Sequence, residues 1–277
     1  MTIELMQTED SDSQKFKYIL ESSYIDPAED IAYPPTAVSF GEFRTKDERY
    51  PIPIGTYGNF STLQAPPKSK KTFFASLIAA AYLGDFTKYT GNMKGFRQGK
   101  CLAHFDTEQG RYHAQKAFRR PLLMSGLENE CYQTFALRSY GPKERLEFIE
   151  WYLYEHSENL GMVIIDGIAD LCIDSNDMKE SSELVQHVMR WTEELDIHIM
   201  LVIHSNFGSD KMVGHLGSYL EKKAETVIQL QVDEENTNLV EVKCKRSRSY
   251  PFDNFYFEIN KEGLPVVVDA VDKMLNY

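Results

Sequence analysis

The 277-residue chain holds only four cysteines, Cys101, Cys131, Cys172 and Cys244, and none of them stands in a C-x-x-C spacing. That scarcity argues against a zinc site or a disulfide framework, and a reducing cytoplasm is the expected setting. Long hydrophobic runs are lacking too. The longest apolar stretch, Phe73 to Leu83, is too short for a bilayer and fits a buried helix, so no membrane contact is expected. Positive charge is in deficit: 30 Lys and Arg face 42 Asp and Glu, a net charge of −12. A broadly basic nucleic-acid surface is thereby excluded, and any such contact must come from local loops. The acidic opening (Glu4, Glu9, Asp10, Asp12) is not the pattern of a signal peptide. Internal repeats and low-complexity tracts are missing as well.

What remains is ordinary globular composition with a strong alternation of elements. Residues 1–50 are polar, with a short helix expected near Asp12 to Ser23 and a connector at Tyr33-Pro34-Pro35; they read as an N-terminal arm or linker. From Pro51 onward strands and helices alternate, so 51–277 reads as one domain. Strands are expected at Tyr57–Gln64, Cys101–Asp106, Met162–Asp166, Ile197–His204, Thr226–Val232 and Leu239–Lys245. Helices are expected at Lys71–Leu83, Arg111–Arg120, Pro142–Asn159 and Ser182–Leu195. Such alternation predicts an α/β fold with a mostly parallel sheet covered on both faces. The link Asp233 to Asn238 is too short for a crossover helix, so the C-terminal strands should be antiparallel.

Glycine is absent where one motif wants it. Residues 58–72 run strand, tight loop, helix start, in the layout of a phosphate-binding G-x-x-x-x-G-K-[ST] loop placed on Ala65, Pro66, Pro67, Lys68, Ser69, Lys70, Lys71 and Thr72. Loop amides and the helix N-terminus favour a polyphosphate, Lys71 meets the β- and γ-phosphates, and Thr72 holds Mg²⁺. Ala65 and Lys70, however, occupy the two glycine places. A Lys in a left-handed conformation costs about 1 kcal/mol, against which stands the gain of another cation near the triphosphate. Taken alone, the stretch equally fits an ordinary strand-to-helix loop.

Three further strands end in polar side chains. Gly161-Met-Val-Ile-Ile-Asp166 is an aliphatic run closed by an acid, the Walker B layout in which Asp166 orients Mg²⁺. An isolated match of this kind is also what any core strand ending in Asp looks like. Leu102 to Gly110 ends in Asp106-Thr107-Glu108, placing a carboxylate that orients and deprotonates water, or else an exposed turn acid. Ile199 to Asn206 ends in His204, either a γ-phosphate sensor or a satisfied structural histidine. The convergence of these ends on one sheet edge, where ligands of open α/β sheets bind, favours the functional set.

In this order the motifs resemble RecA-like P-loop ATPases, in the branch that holds DnaB-type replicative helicases and plasmid RepA-like helicases. Asp106-Thr107-Glu108 is similar to that family's strand ending in the catalytic glutamate. Gly214-His-Leu-Gly-Ser218 followed by Ala224-Glu-Thr-Val-Ile-Gln-Leu230 looks like its "G-S … A-D-x-V-I-x-L" segment. Val242 to Pro251 looks like its "K-x-R-x-G-P" segment, in which a neighbouring subunit lends basic fingers to ATP; the finger positions fall on Arg246 and Arg248. The resemblance spans roughly 50–260 and implies ATP and Mg²⁺ as cofactors and a homo-oligomer, ring or filament, with a hexamer expected. Glu108, Asp166, His204, Arg246 and Arg248 are then the catalytic set. It departs at Ala65 and Lys70 and at Arg246, where the family often has Lys.

The family's DNA-contacting loops correspond to Asp174–Glu180 and Asn206–Gly217, which carry only Lys179 and Lys211 as cations and Phe207 as aromatic, beside Gly208. They serve equally as ordinary surface loops. Two functions of different class follow: an oligomeric ATPase acting on single-stranded DNA, as a helicase in replication or mobilisation of a plasmid or mobile element, or an ATP-dependent regulatory switch without motor activity. A metabolic kinase on the same loop is a third reading, for which no acceptor motif is visible.

Overall fold

The structure, a computed structural model, describes residues 2–46, 48–84, 87–127, 129–206 and 211–268. The chain forms two compact units, Met1–Tyr33 and Pro34–Tyr277. The first is helix α1 (Thr2–Ser23) and an irregular segment. Its described side chains, from Asp12 onward, are all exposed, Phe16, Tyr18, Leu20 and Tyr24 among them.

The second unit is α/β. A small antiparallel sheet has the order β2-β1-β4, from β1 (Thr36–Arg44), β2 (Arg49–Thr56) and β4 (Met93–Gly95). Strand β1 falls within the stretch expected as arm. Strand β2 holds Pro51 and Pro53 and lies at the sheet edge, where a missing amide breaks no ladder bond.

The main sheet has nine strands. In chain order they are β3 (Phe60–Ala65), β5 (Cys101–Asp106), β6 (Tyr132–Ala136), β7 (Leu160–Asp166), β8 (His198–His204), β9 (Thr226–Val232), β10 (Leu239–Ser247), β11 (Phe255–Ile259) and β12 (Pro265–Val268). In space the order is β12-β11-β10-β9-β3-β8-β7-β5-β6. The six from β9 to β6 are parallel, and β10, β11 and β12 add antiparallel. The helices that connect them are α2 (Lys71–Gly84), α3 (Arg111–Ser125), α4 (Pro142–Glu155), α5 (Met178–Leu195) and α6 (Gly214–Lys223).

Local sequence explains these elements. Helix α5 starts where the Asp177 carboxylate accepts from the Glu180 amide at 2.7 Å. Helix α4 opens with Pro142, and Glu144 accepts from the Gly141 amide at 2.9 Å. Helix α3 runs through Pro121 to Ser125, further than the expected end at Arg120, because its apolar face (Ala114, Ala117, Phe118, Met124) stays in the core.

Alternation along the parallel strands splits the core in two. Met162 and Ile164 of β7 pack with Phe74, Leu77 and Ile78 of α2; Val163 and Ile165 pack with Leu184, Val188 and Trp191 of α5. Each such side chain removed from water contributes roughly 1.5–3 kcal/mol, which makes the central strands a rigid base for whatever stands at their ends. Among the described residues, no helix is long and apolar enough to cross a membrane.

Candidate active site

Register places the strand ends together. Ala65 of β3 pairs with His204 of β8, and Asp166 of β7 lies between Val202 of β8 and Asp106 of β5. The ends of four neighbouring parallel strands therefore form one carboxyl edge.

The loop between β3 and α2 takes an unusual course. Lys68 and Lys70 sit at φ 64° and 63°, the left-handed region that L side chains rarely adopt. Lys70 thus takes the conformation that glycine would supply, with its ammonium 6.0 Å from the Phe73 ring. Within the described residues, no carbonyl or side chain accepts from the amides of Lys68 to Thr72; the first amides to close are those of Phe73 and Phe74, both on the Lys70 carbonyl. Unpaired N–H groups at a helix start form a donor array suited to an anion.

Lys71 is buried, and burial pulls its ammonium below the usual lysine range. Its Nζ donates to the carbonyls of Ala65 (3.3 Å) and Pro66 (3.1 Å) and lies 2.9 Å from Nδ1 of His204. An ammonium only donates, so Nδ1 accepts and the imidazole proton is assigned to Nε2. That Nε2 lies 3.1 Å from Oε1 of Glu108. Lys71, His204 and Glu108 therefore form one hydrogen-bonded row. The His204 bond holds the Glu108 carboxyl below its ordinary range, outweighing burial, and leaves it an anion able to accept a proton.

A second row adjoins it. Thr72 Oγ1 donates to Oδ2 of Asp166 at 2.9 Å. Burial pushes the Asp166 carboxyl up to about 7, with the neighbouring Asp106 adding repulsion. Asp106, not anticipated as a site residue, shapes the next turn: its carboxylate accepts from the amides of Glu108 (3.0 Å) and Gln109 (2.7 Å) and from the Gln109 side chain (2.8 Å). An Asx turn thus aims Glu108, and the D-x-E spacing was its signal.

Gly167 is the other unanticipated contributor. It has φ 106°, and a Cβ there would lie 2.2 Å from Thr107 Oγ1 and 3.0 Å from Glu108 Cγ. Only glycine lets the two acid-bearing loops approach this closely.

Arg246 and Arg248 stand elsewhere. Strand β10 runs antiparallel to β9, so Arg246 pairs with Val227, which is level with Thr62 near the start of β3. Arg248 lies past Ser247, level with Ser61. Both are at the amino edge of the sheet, away from their own chain's loop. The structure brings Lys71, Thr72, Glu108, Asp166 and His204 together and leaves the two arginines apart. Of the loops noted as DNA candidates, Phe207 and Gly208 lie outside the described residues, and Lys179 pairs with Glu183 at 3.9 Å.

Among solved structures the chain is similar to a crystal structure of the RadB recombinase, with a TM-score of 0.54 and 17% sequence identity over 77% of this chain and 92% of that one. That likeness shows the fold, the mostly parallel sheet with flanking helices and an antiparallel extension. No curated protein matches the sequence. The sequence pattern of the AAA domain matches residues 28–210, most of the chain and the whole of the described edge. With that pattern covering about two thirds of its length, the chain belongs to the AAA domain family of P-loop ATPases.

Proposed function

We propose that the chain binds ATP with Mg²⁺ at the carboxyl edge and hydrolyses it, as an oligomer acting on DNA. The observation that carries this is the pair of hydrogen-bonded rows, Lys71–His204–Glu108 and Thr72–Asp166, beside loop amides that find no acceptor within 3.5 Å among the described residues.

The donor sets fit the groups they are asked to hold. Unpaired amides and a buried ammonium suit a polyphosphate. A threonine hydroxyl and a carboxylate are hard oxygen ligands of the kind Mg²⁺ takes alongside phosphate and water. Mg²⁺ held there would supply charge neutralisation to the phosphates. The protein's residues do the rest. The 68–72 amides and Lys71 seat the phosphates, and Thr72 and Asp166 hold the metal. Glu108 orients the attacking water and accepts its proton. His204, between Lys71 and Glu108, loses its lysine partner when Lys71 turns to phosphate, and so reads occupancy of the site.

Arg246 and Arg248 act on a neighbouring protomer's nucleotide, since their own loop lies at the other edge. A ring or filament follows, with a hexamer expected. The exposed Phe16, Tyr18, Leu20 and Tyr24 of the first unit offer apolar surface for a neighbour to cover. The order of motifs supports a helicase or helicase-like role in replication or mobilisation of a plasmid or mobile element.

The test is ATP turnover with and without single-stranded DNA, together with sizing in ATP and Mg²⁺. Stimulated turnover in an oligomer is expected. Turnover indifferent to DNA would favour the alternative of a regulatory switch, to which the two strained lysines of the loop and the acidic net charge lend weight. A monomer at micromolar concentration would remove the trans fingers.

A further inference from the structure

The two arginines at the amino edge are exposed but held by partners on their own chain. Consecutive strand residues face opposite sides of a sheet, yet Lys245 Nζ (3.2 Å) and Arg246 Nε (3.3 Å) both reach the same oxygen, Oε1 of Glu221. A register step between Cys244 and Arg246 makes this possible: Lys245 is the extra residue of a β-bulge, which turns the two side chains to one side. Glu221 belongs to the last turn of α6 and is only 18% exposed, whereas Arg246 is 63% exposed. Arg248 is tied to the same helix end: its Nη2 donates to the Lys223 carbonyl at 2.6 Å and its amide to the Glu225 carbonyl at 2.9 Å.

The other end of α6 is tied to the catalytic edge. The Val213 amide donates to the His204 carbonyl (3.0 Å) and the Leu216 amide to the Ser175 carbonyl (3.1 Å). Ten residues, about 15 Å of helix, thus run from the site to the arginines.

We infer that Glu221 is a positioning residue: it sets the pose in which the Lys245–Arg248 segment is presented to the neighbouring protomer's nucleotide. This rests on the trans-finger reading above and extends it to a residue that touches no nucleotide. The ion pair is partly buried, but Glu221→Gln keeps an oxygen that both cations can reach, so it should leave the fold intact. The ion pair fixes direction, and misdirection by about an ångström costs up to about 10²-fold in rate.

The experiment uses Glu221→Gln, which keeps shape and removes charge, and Glu221→Asp, with Arg248→Ala alongside. Glu221→Gln should lower kcat roughly tenfold or more with KM for ATP and oligomer size unchanged, and Glu221→Asp should recover part of the loss. Mixing Glu221→Gln with Lys71→Ala protein should restore turnover, because intact loops then meet well-posed arginines. Wild-type kcat in Glu221→Gln while Arg248→Ala is slow overturns the positioning role alone. Wild-type kcat in both overturns the trans-finger reading as well. A loss in Glu221→Gln that mixing does not rescue places its effect within its own chain and overturns the proposal.

Discussion

Asp166 offers a test of the site's electrostatics that needs no nucleotide. Burial raises its carboxyl from an ordinary 3.8 to about 7, so at pH 8 the folded protein carries a charge that the unfolded chain would carry in water. At about 1.4 kcal/mol per pH unit, that rise is a charging cost of about 4 kcal/mol. Between the two values the folded state holds a proton that the unfolded state has lost, so stability falls as pH rises through this window. Asp166→Asn removes the cost and keeps an oxygen to accept from Thr72. The attraction to Lys71 is already contained in the value of about 7, so the expected gain at pH 8 is roughly 3–4 kcal/mol. At pH 5 the carboxyl is protonated when folded but still largely ionised when unfolded, so the gain should shrink to roughly 1–2 kcal/mol. Urea unfolding followed by tryptophan emission suits the measurement, since Trp191 is fully buried. An equal effect at both pH values, or destabilisation at pH 8, would refute the reasoning.

Other expectations follow from the same edge. Gly167→Ala places a methyl 2.2 Å from Thr107 Oγ1 at φ 106°, so it should lower stability by roughly 1–3 kcal/mol and abolish turnover; a wild-type urea midpoint would contradict the close approach. Arg248→Ala should bind ATP normally and turn over slowly, and mixing with Lys71→Ala protein should return activity through sites that pair an intact loop with an intact arginine. No rescue between two folded, oligomeric variants would move the finger off Arg248 or place it within the same chain.

The central sheet was legible because its strands announce themselves: Cys101–Asp106 and Thr226–Val232 carry the expected bounds, and the six-residue link after Val232 does join antiparallel strands. Aliphatic runs closed by a polar residue mark buried parallel strands, and their shared carboxyl edge follows from topology alone. Strands β1, β2 and β4 were not read, because Pro51, Pro53 and a three-residue strand give no period to detect. Helix α3 outran its expected end because tertiary packing overrode Pro121. Within the site, the acids and Lys71 were legible as motif residues. What was not legible is how they are held: the Asx turn of Asp106, the contact that only Gly167 permits, and the bulge that turns Lys245 and Arg246 onto Glu221. Each depends on side chains meeting across strands, which a one-dimensional pattern does not carry.

The central claim is that this edge seats ATP on Lys71 and activates water with Glu108. It is tested most directly by measuring ATP affinity and Mg²⁺-dependent turnover in wild type, Lys71→Ala and Glu108→Gln. Lys71→Ala should lose binding itself, because the ammonium acts on ground and transition states alike. Glu108→Gln should bind ATP nearly as wild type and turn over about 10²-fold more slowly. Wild-type affinity in Lys71→Ala, or undiminished turnover in Glu108→Gln, would contradict the account.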